Sequence, residues 1–508
     1  MGTAASSRVA IGKVDGPYPS QAPFDPSEAY PEYRGHAVAT QPNRVYHGVR
    51  EALRMLGCDS RQFGTAAWNP LGAWVKPGDR VFIKPNLLTH EYRASNGARG
   101  DVFSVITHPS VVRAVADYAA IALQGRGEIV IGDNPCIDAD FNQLLAVTQL
   151  KTLEPLYRER FGVPCRVLDL RPLRTTNLEY YGFQSKTERQ AGDPESSTVL
   201  NLGDRSCFYG LNPLLFRGVF TNRWETMRHH HGRRHEYSIS NTILNSDVYI
   251  SVPKLKSHHK VGATLNIKGL VGINANKNYL VHWRVGFPLL GGDEFPVAHR
   301  VADYFIHAAQ MLAADLLPER LYLSLRQRWK GGRLERALQL RKRSHHEKFR
   351  GAWDGNDTCW RMAADLYKLF VRDAAGVRAR RGRPMKFFSV VDGVLGGEGN
   401  GPFTPTAKPA GVLVAGEDLL QVDCVAVRLM DYDLHHIRYL DHLLREEDLD
   451  EHDINVVSED FDVANYFEGG ARYLRFAAPG GWPHLALTPS SDEPQEAREH
   501  AHHHSCCR

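Results

Sequence analysis

Short runs of β-branched and aromatic residues alternate along this chain with segments whose apolar positions recur every three or four residues. Arg80 to Ile83 (RVFI), Glu128 to Ile131 (EIVI), Val163 to Leu168, Asp247 to Val252 (DVYISV), Lys386 to Val391 and Gly411 to Ala415 read as strands. Val111, Val112, Val115, Tyr118, Ala119 and Ala122 fall at helical spacing behind Thr107-His108-Pro109. That spacing puts Thr107 or His108 near an N-cap and Pro109 in the first turn. Asn43 to Leu56 and Asp418 to Met430 predict two further helices, and Ile454 to Val457 a last strand. Strand, helix and strand in succession imply a parallel, right-handed unit. The expected fold class is therefore α/β, a largely parallel sheet flanked by helices.

The same pattern divides the chain. Residues 1–42, rich in Pro, Gly and Ser, predict an irregular arm. Residues 43–296 form the first part of the core, 297–384 a helical insertion, 385–480 the second part of the core, and 481–508 a flexible tail. Within the first part, residues from about 170 to 240 have few periodic apolar positions and read as a long excursion. It ends in His229, His230, His231 and His235. His231 and His235 would lie one helical turn apart and could ligate a metal, although Arg228, Arg233 and Arg234 oppose a bound cation. The insertion joins an apolar section, interrupted by Pro318 and charges, to the basic stretch from Arg326 to Arg350. Such a pair either covers the active-site face with a solvated basic side or rests peripherally on an anionic membrane surface.

Composition narrows the classes. The 508 residues allow two or three domains' worth of core, and 43% hydrophobic content fits a globular protein. A net charge of +4 is too mild for a protein whose main partner is nucleic acid, and the basic stretch of the insertion has only Trp329 and Phe349 for stacking. Eight cysteines occur without a C-x-x-C pair, so no iron–sulfur cluster is expected. With no secretory leader and no apolar stretch of spanning length, the expected location is cytoplasmic, with free thiols. The Met1, Gly2, Ser6 match to an acylation pattern and the histidines and cysteines from His502 to Cys507 read as incidental.

Charge patterning then singles out one stretch. Directly after DVYISV the chain reads PKLKSHHKVGATLNIKGLVGINANKNYLVHWR, carrying Lys254, Lys256, His258, His259, Lys260, Lys268, Lys277, His282 and Arg284 without one Asp or Glu. In open α/β sheets ligands bind beyond the carboxyl ends of strands, and like charges at this density repel unless an anion or acids offset them. A solvated basic loop or β-hairpin is the alternative. Interleaved Gly262, Gly269 and Gly272 and the amides Asn266, Asn274, Asn276 and Asn278 favour a ligand site, since glycine lets backbone N–H groups approach a ligand.

Five ordered motifs, KPNL at Lys84 to Leu87, THP at Thr107 to Pro109, GDNP at Gly132 to Pro135, the stretch from Pro253 to Gly272, and VDG…EGNGP around Asp392 to Pro402, together resemble one family. It is the family catalogued as domain of unknown function 362, here without the ferredoxin-like cluster domain that some relatives carry and with a long helical insertion. The resemblance spans about residues 80 to 430. It implies a fold and candidate residues, and no reaction. The family's threonine stands here as Ser257 and its lysine–asparagine pair as Lys268-Gly269, so a side-chain contact at 269 is not implied. Asn356-Asp357-Thr358, in a block shared with relatives that have the insertion, can cap a helix beginning near Cys359.

The residues thus predict an enzyme for a small anionic substrate bearing phosphate or carboxylate. Lys84, Asn86, His108, Lys254, Lys268 and Lys277 would bind it, while Lys256, His258 and His282 would carry acid–base catalysis. Asp133 and Asp392, at strand ends, could hold a divalent metal; Glu398 and Asp423 are the other acids so placed, Asp423 reading first as an N-terminal helix charge. The alternative is a non-catalytic ligand-binding or assembly protein of a redox or envelope pathway, docking through its helical insertion.

Overall fold

The computed structural model describes residues 7–34, 36–93, 99–178, 184–218, 223–296, 350–373, 384–468 and 471–487, with 316, 317, 321, 324 and 325. Its centre is an 11-stranded sheet. The strands are β1 (Arg8–Lys13), β2 (Arg80–Pro85), β3 (Glu128–Asp133), β4 (Cys165–Asp169), β5 (Val248–Val252), β6 (Lys254–His258), β7 (Gly262–Thr264), β8 (Lys386–Glu398), β9 (Thr406–Lys408), β10 (Val412–Gly416) and β11 (Asn455–Val457). They lie in the order β11-β1-β10-β8-β5-β2-β3-β4, with β6, β7 and β9 attached beside β8. The run β8-β5-β2-β3-β4 is parallel throughout, and β10 is antiparallel to both neighbours. The fold class is α/β.

Period-two geometry explains the apolar runs. Val81, Ile83, Ile129, Ile131, Val248 and Ile250 enter one core layer, while Phe82, Val130 and Tyr249 enter the other. Both faces are covered, so these strands are nearly continuous in hydrophobicity. The first layer packs under α1 (Arg44–Met55), α2 (Pro109–Leu123) and α3 (Leu153–Phe161). The second packs under α5 (Cys359–Tyr367), α6 (Leu419–Leu429) and α7 (Arg438–Glu447). His108 is the N-cap of α2, its side chain accepting from the Ser110 N–H, with Pro109 at the first position. Asn43 caps α1 and Asp418 caps α6 in the same manner.

Several expectations change. Residues 8–13 of the expected irregular arm are β1, seated between β10 and β11. The rest of the arm is pinned by polar pairs that hydrophobic periodicity does not report: Asp25 receives Arg113 and Arg160, and Glu32 receives Arg50 at 2.7 Å. Helix α5, placed by sequence within the insertion, is a core element; Asn356 caps it by accepting from Thr358 and Cys359 N–H groups. Trp482, placed in the tail, is buried and donates its indole N–H to the His259 carbonyl. Among the described residues the excursion forms two small antiparallel sheets and lends Phe216–Arg217 to a third. His231 and His235 share no helix: His230 and His231 form a short strand against Arg234 and His235. The segment 297–349, apart from five isolated residues, and the His/Cys cluster at 502–507 lie outside the described residues.

Candidate functional site

The basic stretch is a buried hairpin rather than a solvated one. Strand β6 reads Lys-Leu-Lys-Ser-His, so alternation puts Lys254, Lys256 and His258 on one face and Leu255 and Ser257 on the other. It pairs in parallel with β8 and turns back through His259 to Val261 into β7. Gly262, at φ 83°, makes that turn, and a Cβ there would lie 2.9 Å from Ile437. The chain then forms α4 (Asn266–Gly269), a single helical turn whose N-terminus is held from a distant element. Asp423, buried within α6, accepts from the Asn266 N–H, the Asn266 amide and the Ile267 N–H, each at 2.9 Å. Its expected role as a charge at its own helix N-terminus is thus replaced by capping α4, and burial raises its carboxyl to about 7. The other amides are also engaged within the protein: Asn274 with Asn276 and Ser238, and Asn276 and Asn278 with Glu225.

The candidate residues sort into three groups. In the first, Lys84 at the end of β2 pairs with Asp133 at the end of β3 at 2.9 Å. Asp133 also accepts from the Leu87 and Asn134 N–H groups, both at 2.8 Å. Gly272 lies directly on this pair: a Cβ there would sit 2.0 Å from Asp133 Oδ1 and 2.6 Å from Lys84 Nζ. Lys277, half-buried, donates to the Asn134 and Val271 carbonyls at 2.9 and 3.1 Å, and burial lowers it to about 7. Asn86 is half-buried beside them, its backbone N–H bonded to Thr107 Oγ1.

The second group is sealed. Lys254 and Asp392 have no exposed surface and pair at 3.0 Å. Tyr18, from the arm, donates to Asp392 at 2.5 Å and accepts from Lys254 at 2.7 Å. Its ring stacks on His108 at 3.9 Å, and the His108 backbone N–H donates to Asp392 at 2.9 Å. Lys254 and His108, expected to bind substrate, are held here within this network. The metal expectation for Asp133 and Asp392 also changes. Three strand spacings separate β3 from β8, roughly 14 Å, too far for two carboxylates to share one ion. Each carboxylate is already filled by N–H, O–H and ammonium donors. Among the described residues, the metal-capable group is Asp450, Glu451 and His452, on the surface before β11.

The third group is uncompensated. Lys256, fully buried, donates to the Val105 and Pro402 carbonyls at 2.6 and 3.2 Å and touches no carboxylate among the described residues. Lys260 donates to the Arg350 carbonyl, and burial brings it down to about 8. Lys268 on α4 is 7% exposed, and its Nζ has no hydrogen-bond or ion-pair partner among the described residues. Burial, and after it Lys268, holds both His258 and His282 well below the usual histidine range. Lys256 is lowered by burial, then by Lys254 and Lys268. Lys268 is therefore the shared charged neighbour of this cluster. Beside it, a Cβ at Gly269 would have nothing within 4 Å among the described residues. Cys359, fully buried at the start of α5, lies within the electrostatic reach of Lys260 and Lys268. Sequence reasoning did not place Tyr18 or Cys359 at the site, and no local pattern marks them; Asp423 stands among the strand-end acids but reads first, from sequence, as a charge at its own helix N-terminus. Lys260 stood in the basic stretch, but only the fold shows that it makes no ion pair among the described residues. A separate depression of about 500 Å³ lined by Gly57, Asp59, Asn69 and Trp74 contains no basic side chain.

Lys256, Lys260 and Lys268 all lie in one stretch that matches a family of known proteins. Residues 211–428 match the family described as domain of unknown function DUF362. The matched region takes in β5 to β10, α4, α5, most of α6 and the lysines Lys256, Lys260 and Lys268; the motifs at Lys84, Thr107 and Gly132 precede it. The chain is also similar to the thylakoid-associated protein sll1697 of Synechocystis sp., at 25% identity over 246 residues, 48% of this chain and 52% of that protein. It thus spans about half the length of that relative. No solved structure matches the chain. Among the described residues no helix is long and apolar enough to cross a membrane.

Proposed function

We propose that the DUF362 region is an enzyme site for a small anionic substrate, bearing phosphate or carboxylate, held by Lys256, Lys260 and Lys268. The observation that carries this reading is Lys268: an ammonium more than nine-tenths buried, with no partner among the described residues, beside two further lysines bonded to carbonyls alone. Buried charge of one sign is costly unless it is neutralised. A scaffold with no use for that charge would carry methionine or leucine there. His258 and His282 supply neutral rings within the same cluster, and Lys277 and Lys260, near neutrality, can exchange protons.

Titration of the purified chain with inorganic phosphate, pyrophosphate and small carboxylates tests the reading by calorimetry and thermal shift. Charged hydrogen bonds are worth about 1.5–3 kcal/mol, so Lys268→Gln should weaken the best anion by about 10- to 100-fold. Lys151→Gln, at an exposed lysine, should not. If no anion stabilises the protein, or Lys268→Gln binds as well as wild type, the reading fails.

A second reading, docking at a membrane or partner surface, is favoured by exposed Leu214, Leu289 (90% exposed) and Leu290. They flank the antiparallel pair of Phe216–Arg217 with Trp283–Arg284, just before the insertion begins. The thylakoid association named for the relative is in keeping with it. Vesicle flotation lost in Leu289→Ser/Leu290→Ser would support docking; flotation indifferent to that change would remove it.

A further inference from the structure

Hydrogen-bond partners fix the tautomers of the two histidines that accompany Lys268. His258 Nδ1 lies 3.0 Å from the Lys260 backbone nitrogen, which can only donate, so Nδ1 is bare and the ring proton sits on Nε2. His282 Nδ1 lies 3.0 Å from the Leu280 carbonyl, which can only accept, so Nδ1 carries the proton and Nε2 is bare. Neither Nε2, nor Lys268 Nζ, has a partner among the described residues. None of the three is among the sealed polar atoms without a partner, so each opens onto space that water reaches. Lys268 is the foremost charged neighbour of both rings, and at Gly269, next to it on α4, a Cβ would meet nothing within 4 Å among the described residues.

We infer that His282 is a proton acceptor and His258 a neutral hydrogen-bond donor toward one ligand anchored by Lys268, the ligand being an anion that also carries a hydroxyl, or a carbonyl next to an acidic C–H. This rests on the anion-site reading and names the chemistry that site would perform. The proton leaves the ligand's O–H or C–H for His282 Nε2, which becomes imidazolium. The electron pair left behind resides on the ligand oxygen, held by the His258 Nε2–H and the Lys268 ammonium. His258 keeps its proton throughout, polarising that oxygen as a neutral ring. No oxidant or second reactant is required. Burial and the lysines keep His282 unprotonated in the free protein. An anion that neutralises those lysines raises its proton affinity and makes it a better base when substrate is bound.

Long-range nitrogen–proton correlation spectra of the full chain with ¹⁵N-labelled histidine test this. His258→Asn and His282→Asn each keep the bond on the Nδ1 side, an acceptor in the first and a donor in the second, so the folded variants identify the two rings by loss of signal. At pH 7 without phosphate, His258 should show its proton on Nε2 and His282 on Nδ1. The same tautomer on both rings, or either as imidazolium at pH 7, overturns the inference and leaves the anion site standing. Inorganic phosphate should raise the proton affinity of His282, shift the His258 Nε2–H, and bind about 2- to 10-fold more weakly to His258→Asn. If phosphate binds in a Lys268-dependent way yet moves neither ring, the inference fails alone. If it does not bind, the anion reading fails and the inference with it.

Discussion

Replacing Asp392 with Asn removes the carboxylate against Lys254 while keeping nearly the same volume and an oxygen for the His108 N–H. Both side chains of the pair are fully buried, and the 3.0 Å contact joins the Tyr18 hydroxyl and the His108 N–H in one network. Breaking a buried pair from one side costs about 3–5 kcal/mol, because the remaining charge has no water to return to. That is roughly a hundred- to several-thousand-fold in the ratio of folded to unfolded protein. Linkage supplies a second signature. Burial already lowers Lys254 below its usual value, with Asp392 opposing the drop. Without the carboxylate it falls further. The unfolded chain then binds more protons than the folded one up to the ordinary lysine value, so folded stability rises with pH across that window. The deficit of Asp392→Asn should therefore shrink from pH 7 toward pH 10, by at most about 1.4 kcal/mol per unit. Urea unfolding followed by tryptophan fluorescence at pH 7, 8 and 9 measures both. Lys254→Met should also destabilise, and the double variant should lose less than the sum of the two. An Asp392→Asn protein within about 1 kcal/mol of wild type at pH 7, with an unchanged pH slope, would refute the sealed pair.

Other perturbations separate support from site. Tyr18→Phe removes a hydroxyl that touches Asp392, Lys254 and the Leu395 N–H, and should cost about 1–3 kcal/mol in the same urea assay. Lys268→Met, by contrast, should raise the thermal midpoint in anion-free buffer, because it deletes a buried charge that has no ion-pair partner among the described residues; a lowered midpoint would argue that Lys268 is structural. Gly272→Ala pushes a methyl into the Lys84–Asp133 pair and should destabilise by about 1–3 kcal/mol, whereas Gly269→Ala meets open space and should be neutral or slightly stabilising. His230, fully buried and bonded to the Tyr279 carbonyl, has its pKa lowered by burial to about 3. Its depressed value means stability present above about pH 6.5 and lost as pH falls toward 3, by up to about 1.4 kcal/mol per unit. His230→Asn should flatten that acid limb in a thermal-shift series.

What the sequence by itself determined is the layered α/β scaffold and the location of the basic stretch. Runs such as Val248 to Val252 are buried at every position, and apolar at all but Ser251, because both faces of their strands are covered, and that demand is visible residue by residue. Capping by Asn43, His108 and Asp418 is equally local, since each cap acts on a backbone N–H within three residues of itself. The alternation in Lys-Leu-Lys-Ser-His was there to be read as one basic face. Only the tertiary structure decided which of those cations are free. Lys254 and Lys256 are two residues apart and alike in sequence. One is neutralised by Asp392, 138 positions away, and hydrogen-bonded to Tyr18, 236 positions away; the other meets carbonyls alone among the described residues. Asp423 reaches α4 across 157 positions, and Cys359 joins the lysines from beyond the insertion. Local periodicity encodes which face a side chain takes. The partner it finds there is set by how the strands are ordered in the sheet, and that order also holds Asp133 and Asp392 too far apart to share an ion.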